Sequence, residues 1–412
     1  MLNRLHTFDS LADKSYLYLW LGQVGTGLCQ WMDLIARGWL VYFITHSPLH
    51  LGLVTAARGA PMLLFGLIAG VVADRSSRRL QLTLSALIDA GMSLILATLV
   101  VTHRVEIWHI YVTAFLAGTA QAFQTPARMA LVHDLVGKEK LLNAVALLSA
   151  AFNASRGVGP ALAGILITYF GVGGSYYMQF MAGIATAIWT LQIRVPQKAG
   201  VPLPEQSHSP ASYYQSTMEG LRYVFSHRLI FPLMILGLAP MVLAMPFTSL
   251  FPIFAVDVLK VGAAGQGLLL SCLGIGAMGG ALTVASMRGG PMGKLMLISA
   301  AIFGISLMLF SHSQWMWFSM TMAFVAGVAN TSYTSQNQTI IQMMAPDHMR
   351  GRVLSIYMTN RAFTPLGTAL AGLLAHAFGG PNAVLIMGLD TLVLVLLIGI
   401  LVPGIAALGS TD

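Results

Sequence analysis

The chain is 412 residues long, 56% hydrophobic and only 9% charged, with 42 glycines and a formal net charge of +8. Water-soluble domains carry roughly 25% charged residues. A surface this poor in charge excludes a soluble enzyme, a disordered protein and a conventional nucleic-acid binder, and it marks an integral membrane protein. The basic excess must then be read by its position along membrane spans. Cys29 and Cys272 stand far apart in apolar stretches, where a thiol packs as a small hydrophobe and no disulfide framework is expected.

A bilayer core of about 30 Å takes about 20 mostly apolar helical residues. Twelve such segments follow in chain order: 16–44, 50–73, 80–101, 107–128, 141–169, 174–194, 229–256, 264–287, 293–311, 314–343, 353–378 and 383–406. Turn-like strings separate most of them, such as Thr45-His46-Ser47-Pro48 and Gly379-Gly380-Pro381. The one long connection, 196–228, holds four prolines and then a helix-compatible run from Tyr213 to Arg228. That run is expected to lie at the membrane surface as an amphipathic helix. The first apolar run is too long for a cleavable signal peptide. The expected organisation is a six-helix bundle over 1–195, a cytoplasmic linker over 196–228 and a second six-helix bundle over 229–412.

Orientation follows from Lys and Arg. With the N-terminus in the cytoplasm, fifteen of the 22 basic residues fall on the cytoplasmic side, and the opposite loops hold only Arg104 and Lys260. Both termini are therefore expected in the cytoplasm. The chain also repeats. Residues 159–166 read GPALAGIL and residues 367–374 read GTALAGLL, identical at six of eight positions with an offset of 208. Two like-oriented six-span halves joined by a cytoplasmic linker form the parallel-repeat plan, in which substrate binds between the halves and access alternates as they rock.

At the end of the second span stands Gly70-Val71-Val72-Ala73-Asp74-Arg75-Ser76-Ser77-Arg78-Arg79. Taken singly, its arginines are those of any positive-inside loop. The whole string resembles motif A of the major facilitator superfamily, with Ser77 where the motif usually has Gly. The resemblance implies a latch on the cytoplasmic side of the outward-facing state, built from Gly70, Asp74, Arg75, Arg78 and Arg79. In span 5, Ala146, Ser155, Gly159, Pro160, Ala163 and Gly164 resemble motif C of the superfamily's antiporters, with three of its glycines replaced by Ala or Ser; this implies export. Ordinary small-residue packing between membrane helices accounts for the same pattern. Asn143-Ala144-Val145-Ala146-Leu147 and Pro346-Asp347-His348-Met349-Arg350-Gly351-Arg352-Val353 resemble the transmembrane secretion effector branch, which includes the enterobactin exporter and macrolide efflux proteins. The resemblance covers nearly the whole chain and implies the superfamily's all-α fold of twelve transmembrane helices in two six-helix pseudo-repeats. One feature departs: residues 107–127 contain no Arg, so the coupling arginine of motif B is missing, and Arg128 is expected at the span's cytoplasmic end.

A charge at the bilayer centre costs at least about 2.5–3.5 kcal/mol, so ionisable residues within spans face a cavity or a partner. Asp33 and Arg37 lie one helical turn apart on span 1. Counting rise along spans 1 and 2 brings Arg58 to the same depth, so Asp33, Arg37 and Arg58 are expected to cluster, as a structural ion pair or as a group in which Asp33 exchanges a proton. Arg156 on span 5 and Arg361 on span 11 are related by the repeat offset within one turn, and both are expected at a central cavity that suits anionic or catechol-like substrates. Asp89 and Asp390 are expected as buried capping or pairing groups. Ten consecutive polar residues, 330–339, cannot face lipid all round, which makes Asn330, Tyr333 and Asn337 cavity candidates, with Gln124 opposite.

No H-E-x-x-H, P-loop, nucleophile elbow or Cys/His cluster occurs, so no enzyme chemistry, metal or cofactor is expected. Without a P-loop, pumping must draw on an ion gradient. The expectation is a monomeric transporter in a bacterial-type inner membrane, working without nucleic acid and moving a siderophore, drug or similar amphipathic small molecule outward against protons. The alternative is a lipid or lysolipid flippase on the same fold.

Overall fold

The computed structural model describes residues 10–137, 140–195, 210–287 and 290–408; the side chains of Leu67, Asp74, residues 210–217, His348 and Arg361 lie outside the described set. Among the described residues the structure is helical without strands. The helices are α1 (Lys14–Thr45), α2 (Pro48–Arg75), α3 (Arg78–Val101), α4 (Ile107–Leu135), α5 (Leu141–Leu191), α6 (Pro210–Ser226), α7 (Ile230–Leu243), α8 (Gly262–Ser286), α9 (Met292–Ser311), α10 (Met316–Met344), α11 (Asp347–Thr359), α12 (Thr364–Phe378) and α13 (Gly380–Leu401).

Each predicted span falls on helix, and the breaks have local causes. The two spans predicted over 141–169 and 174–194 form the single run α5, which turns at Gly171 (φ 71°, ψ 175°), a left-handed conformation that favours glycine. Span 7 is broken beyond α7, where a 3₁₀ stretch Met245–Leu250 leads to a π-helical turn Phe254–Val258. Pro240, Pro246 and Pro252 punctuate this region, each removing a backbone donor. The run predicted as span 11 is likewise split by a 3₁₀ turn, Asn360–Phe363.

Seven helical runs among the described residues are long and apolar enough to cross a bilayer by length and composition. The predicted spans that fall short are 16–44, 107–128, 314–343 and 353–378. The first carries Asp33 and Arg37, the second Gln121 and Gln124, the third the polar stretch 330–339, and the last is the broken run. Their polarity is the expected mark of helices that face protein or water rather than lipid.

Packing divides the chain into two units, Met1–Lys198 with Phe251–Ser271, and Ala199–Leu250 with Cys272–Asp412. The sequence boundaries place 251–271 in the second half, whereas these residues pack in the first unit. Small residues explain the fit. A Cβ added to Gly164 would lie 2.6 Å from the Ala263 carbonyl oxygen, and the Ala161 N–H donates to Ser271 Oγ at 3.0 Å. Inside the first unit, Tyr16 donates to the Ala144 carbonyl at 2.6 Å within a core of Leu19, Leu131, Val132 and Leu147. The second unit has its own core of Ile230, Leu233, Tyr333, Ile341 and Val353. α6, the helix expected at the membrane surface, contributes buried Val224 to that core.

The internal repeat has a packing counterpart. Gly159 lets α5 approach α1, where an added Cβ would lie 2.9 Å from Trp31 Cβ. Its repeat partner Gly367 presses against the Val242 carbonyl at the end of α7. Subtracting 208 from 242 gives 34, a position on α1, so each glycine meets the corresponding first helix of its own half.

These contacts set a graded expectation for thermal stability. Gly164→Leu forces a side chain into the Ala263 backbone and is expected to cost about 1–3 kcal/mol, visible as a lowered Tm of the purified protein. Gly70→Ala, where nothing lies within 4 Å of the added carbon, leaves the Tm unchanged.

Candidate functional site

A polar stripe runs down α1. Gln23, Thr26, Gln30, Asp33 and Arg37 are spaced alternately three and four residues apart, which keeps them on one helix face. α4 presents Gln121, Gln124 and Arg128 at the same spacing. These stripes build the charged interior of the first unit.

Asp33 sits at its centre. Arg37 grips it with two bonds, Nη2 to Oδ1 at 2.9 Å and Nε to Oδ2 at 3.1 Å. Arg58 reaches the same carboxylate from α2 and ion-pairs with Oδ2. The remaining Arg37 donor, Nη1, bonds the Ile110 carbonyl at 3.1 Å and Thr113 Oγ1 at 2.9 Å on α4. Asp33 and Arg37 are buried, and Arg58 is half-buried with a side-chain exposure of 18%. Gly118 makes this possible, because any side chain there would collide with the Arg58 carbonyl. The structure thus brings Asp33, Arg37 and Arg58 together as one carboxylate shared by two guanidinium groups, each a charge-assisted bond.

Beside this triad lies a narrow cavity of about 30 Å³, lined by Asp33, Arg37 and Arg58 together with Asp89, Gln121 and Gln124. That volume holds a water molecule or two and no substrate. A larger cavity of about 400 Å³ lies elsewhere in the first unit against Trp39, Tyr42, His46 and Lys260, a size that fits a small molecule. Next to it, Tyr42 donates to the Asp257 carboxylate.

Arg128 departs from expectation. α4 continues to Leu135, so Arg128 lies two turns inside the helix rather than at its end, buried and donating to Gln23 on α1 and to Thr26 Oγ1 at 3.1 Å. The apolar count bounds a span at 107–128, and the helix runs on beyond it through His133 and Asp134. Asp134 was missed for the same reason. It pairs with Arg78, which also donates to the Ala73 carbonyl at 3.3 Å and the Ala130 carbonyl at 3.2 Å, tying the motif A turn to α4. Arg79 bonds the Ile193 carbonyl at 3.1 Å, and Arg75 is exposed. The Asp74 side chain lies outside the described residues. Gly159, Pro160 and Gly164 stand at close helix contacts, as above.

The candidates for a central cavity separate. Arg156 lies over the Trp31 ring, 5.5 Å from its centroid, and has no carboxylate partner among the described residues. Gln124 lines the water-sized cavity, and the Arg361 side chain lies outside the described set. Asn330 is half-buried. Tyr333 and Asn337 line neither of the two cavities above. Both are buried and donate to α7, Tyr333 to the Leu236 carbonyl and Asn337 Nδ2 to the Leu233 carbonyl at 3.0 Å. A polar helix face satisfies itself as well against a neighbouring backbone as against water, and polarity alone did not separate the two outcomes. Asp89, expected to cap or pair, has no hydrogen-bond or ion-pair partner for its carboxylate among the described residues.

A family model described as transmembrane secretion effector matches residues 5–408. The chain is 27% identical to the Staphyloferrin A transporter of Staphylococcus aureus, over 89% of this chain and 90% of that one. It is 28% identical to the multidrug efflux pump Tap of Mycolicibacterium fortuitum, over 88% and 90% respectively. Among solved structures, the nucleoside transporter NupG (D323A mutant) superposes with a TM-score of 0.76 at 13% identity, covering 94% of this chain and 100% of that one. At that identity the likeness is one of fold.

The triad has a measurable energetic consequence. Asp33→Ala leaves the buried Arg37 and the half-buried Arg58 guanidinium groups without a counter-ion, an expected loss of about 3–5 kcal/mol. Arg350→Ala, which breaks the exposed Arg350–Asp347 pair, is expected to cost about 0–1 kcal/mol. Thermal unfolding of the two variants in detergent checks the contrast.

Proposed function

Because this chain belongs to the transmembrane secretion effector family of the major facilitator superfamily, and is therefore a multi-pass membrane transporter rather than an enzyme, we propose that it exports an amphipathic small molecule in exchange for protons. The carrying observation is the buried Asp33–Arg37–Arg58 triad beside a cavity that admits water but no substrate. Charges inside a membrane protein are expensive unless they serve transport or pairing. Here a cluster of ionisable groups lines a cavity with room for water in the bundle interior, which is what proton exchange requires. The names of two relatives, Staphyloferrin A transporter and multidrug efflux pump Tap, support transport of a small molecule, and the second supports export. Arg156 above Trp31, with the buried Trp31 Nε1 lacking a partner, offers a cation and an indole donor to an anionic or aromatic group.

In this proposal the motif A turn, held to α4 by Arg78 and Asp134, is the cytoplasmic latch, and the halves rock to alternate access. Both termini lie in the cytoplasm of a bacterium, the protein sits in the inner membrane and works as a monomer, and nucleic acid plays no part. Arg156, Arg361 and Asn330 are the proposed substrate contacts.

One observation favours the alternative of a lysolipid flippase. A second cleft of about 390 Å³, between α2, α3 and α4, is lined mainly by apolar side chains such as Leu80, Leu84, Ile88, Leu116 and Phe123, and such a cleft suits an acyl chain.

Proteoliposomes with an acidic interior and an enclosed pH dye decide between the two. Catecholate siderophores, macrolides, cationic dyes and lysolipids are added in turn to wild type and to Asp33→Asn. Substrate-dependent loss of interior protons, reduced at least tenfold in the variant, is the expected result. Lysolipid crossing without proton movement overturns antiport in favour of the flippase.

A further inference from the structure

Asp89 is the charged group that the arrangement above leaves unexplained. It lies on α3, half-buried, and its carboxylate lines the same water-sized cavity as Asp33, Arg37 and Arg58. Its backbone carbonyl accepts from Ser93 Oγ at 3.0 Å, while no side chain or backbone group among the described residues bonds the carboxylate itself. Asp33 is in the opposite state, with both of its oxygens held by guanidinium groups. An anion inside a membrane protein needs a cation beside it, whereas the neutral acid does not. Of the two acids, Asp89 is therefore the one whose charge is not already fixed.

The groups around it are few. α1 presents Cys29, Asp33 and Arg37, and α2 presents Arg58. Arg128 on α4 lies within electrostatic reach. From α5 only uncharged groups such as Gln179 and Thr186 line the cavity. Arg58 is the movable cation in this set. Arg37 spends its donors on Asp33, Ile110 and Thr113, whereas Arg58 makes one bond, through Nη1, and is more exposed than Arg37.

We propose that Asp89 is the carboxylate that binds and releases the transported proton, with Arg58 passing between Asp33 and Asp89 as it does so. Protonation forms one O–H bond on Asp89 from a hydrated proton in the cavity, leaving water behind, and Arg58 stays with Asp33. Release returns the proton to water, and the newly anionic Asp89 draws the Arg58 guanidinium. With Arg37 and Arg58 both cationic and Asp33 anionic, the triad carries one positive charge. Ionised Asp89 brings the set to neutrality, so each proton taken up or lost changes the net charge of the bundle interior by one. The proposal rests on the proton-coupled function above and assigns its proton to a residue.

The test does not depend on knowing the cargo. Full-length protein reconstituted in lipid is titrated by infrared difference spectroscopy, following the carbonyl stretch of a protonated carboxylic acid. Wild type is expected to show a titrating band in the membrane-buried region. Asp89→Asn abolishes the band, Asp89→Glu retains it at a shifted frequency, and Asp33→Asn retains it with its midpoint moved to lower pH, because Arg58 then has only Asp89 to pair with. A band that survives Asp89→Asn, or the absence of any titrating band in wild type, overturns the assignment; retained elution volume and the Asp89→Glu signal separate it from misfolding. The failure of the two ideas is distinguishable. An Asp89 band without substrate-dependent proton movement in proteoliposomes leaves the proton site standing and removes antiport. Proton-coupled transport with a band that Asp89→Asn leaves intact does the reverse.

Discussion

The interior of the first unit depends on one carboxylate shared by two guanidinium groups. Arg37 and Arg58 enter from different helices, and neither is tolerable inside a membrane bundle without a counter-ion. Asp33 supplies that counter-ion for both, and so fixes the spacing of α1 and α2. The Arg37 bonds to Ile110 and Thr113 then carry the same constraint to α4. Small residues follow from this. Gly118 is needed so that α2 can come near enough for Arg58 to reach Asp33. One electrostatic requirement thereby dictates helix proximity, and proximity dictates residue size.

The two units settle their buried polarity differently. In the first, Asp33, Arg37 and Arg58 satisfy one another beside a cavity with room for water. In the second, Tyr333 and Asn337 satisfy themselves on the backbone carbonyls of α7, and the described part of the unit has no ion pair in its interior. Gln336 (buried, with neither amide atom partnered), the Asn337 Oδ1 and the Asn360 Nδ2 are the polar groups there whose bonding this arrangement leaves open. The repeat that gave both halves the same glycine contact has not kept the same electrostatics among the described residues.

Much of this was legible in the sequence. Twelve apolar segments, the duplicated GxALAG string and the motif A turn carry the fold because hydropathy and small-residue packing are properties of short stretches. The clustering of Asp33, Arg37 and Arg58 was also legible, since helical rise converts residue number into depth. Other features depend on what the sequence does not order. The apolar count bounds the span at 128 while α4 runs on through His133 and Asp134, and this hid both the burial of Arg128 and the Arg78–Asp134 pair. The stretch 330–339 announced buried polarity but not whether water or backbone would answer it. Asp89 read as a paired group because buried acids usually are, and only the geometry shows its carboxylate without a partner among the described residues while both oxygens of Asp33 are held.

α1 is where these interactions meet. Its successive turns hold Arg128 through Gln23 and Thr26, support Arg156 through Trp31, hold Arg37 and Arg58 through Asp33, and bond Asp257 through Tyr42. A rigid helix that touches Arg128, Arg156, Arg58 and Asp257 and carries Asp33 and Arg37 itself cannot tilt or rotate without altering several of these bonds together. The water-sized cavity beside Asp33 and the larger cavity beside Tyr42 lie along that same helix.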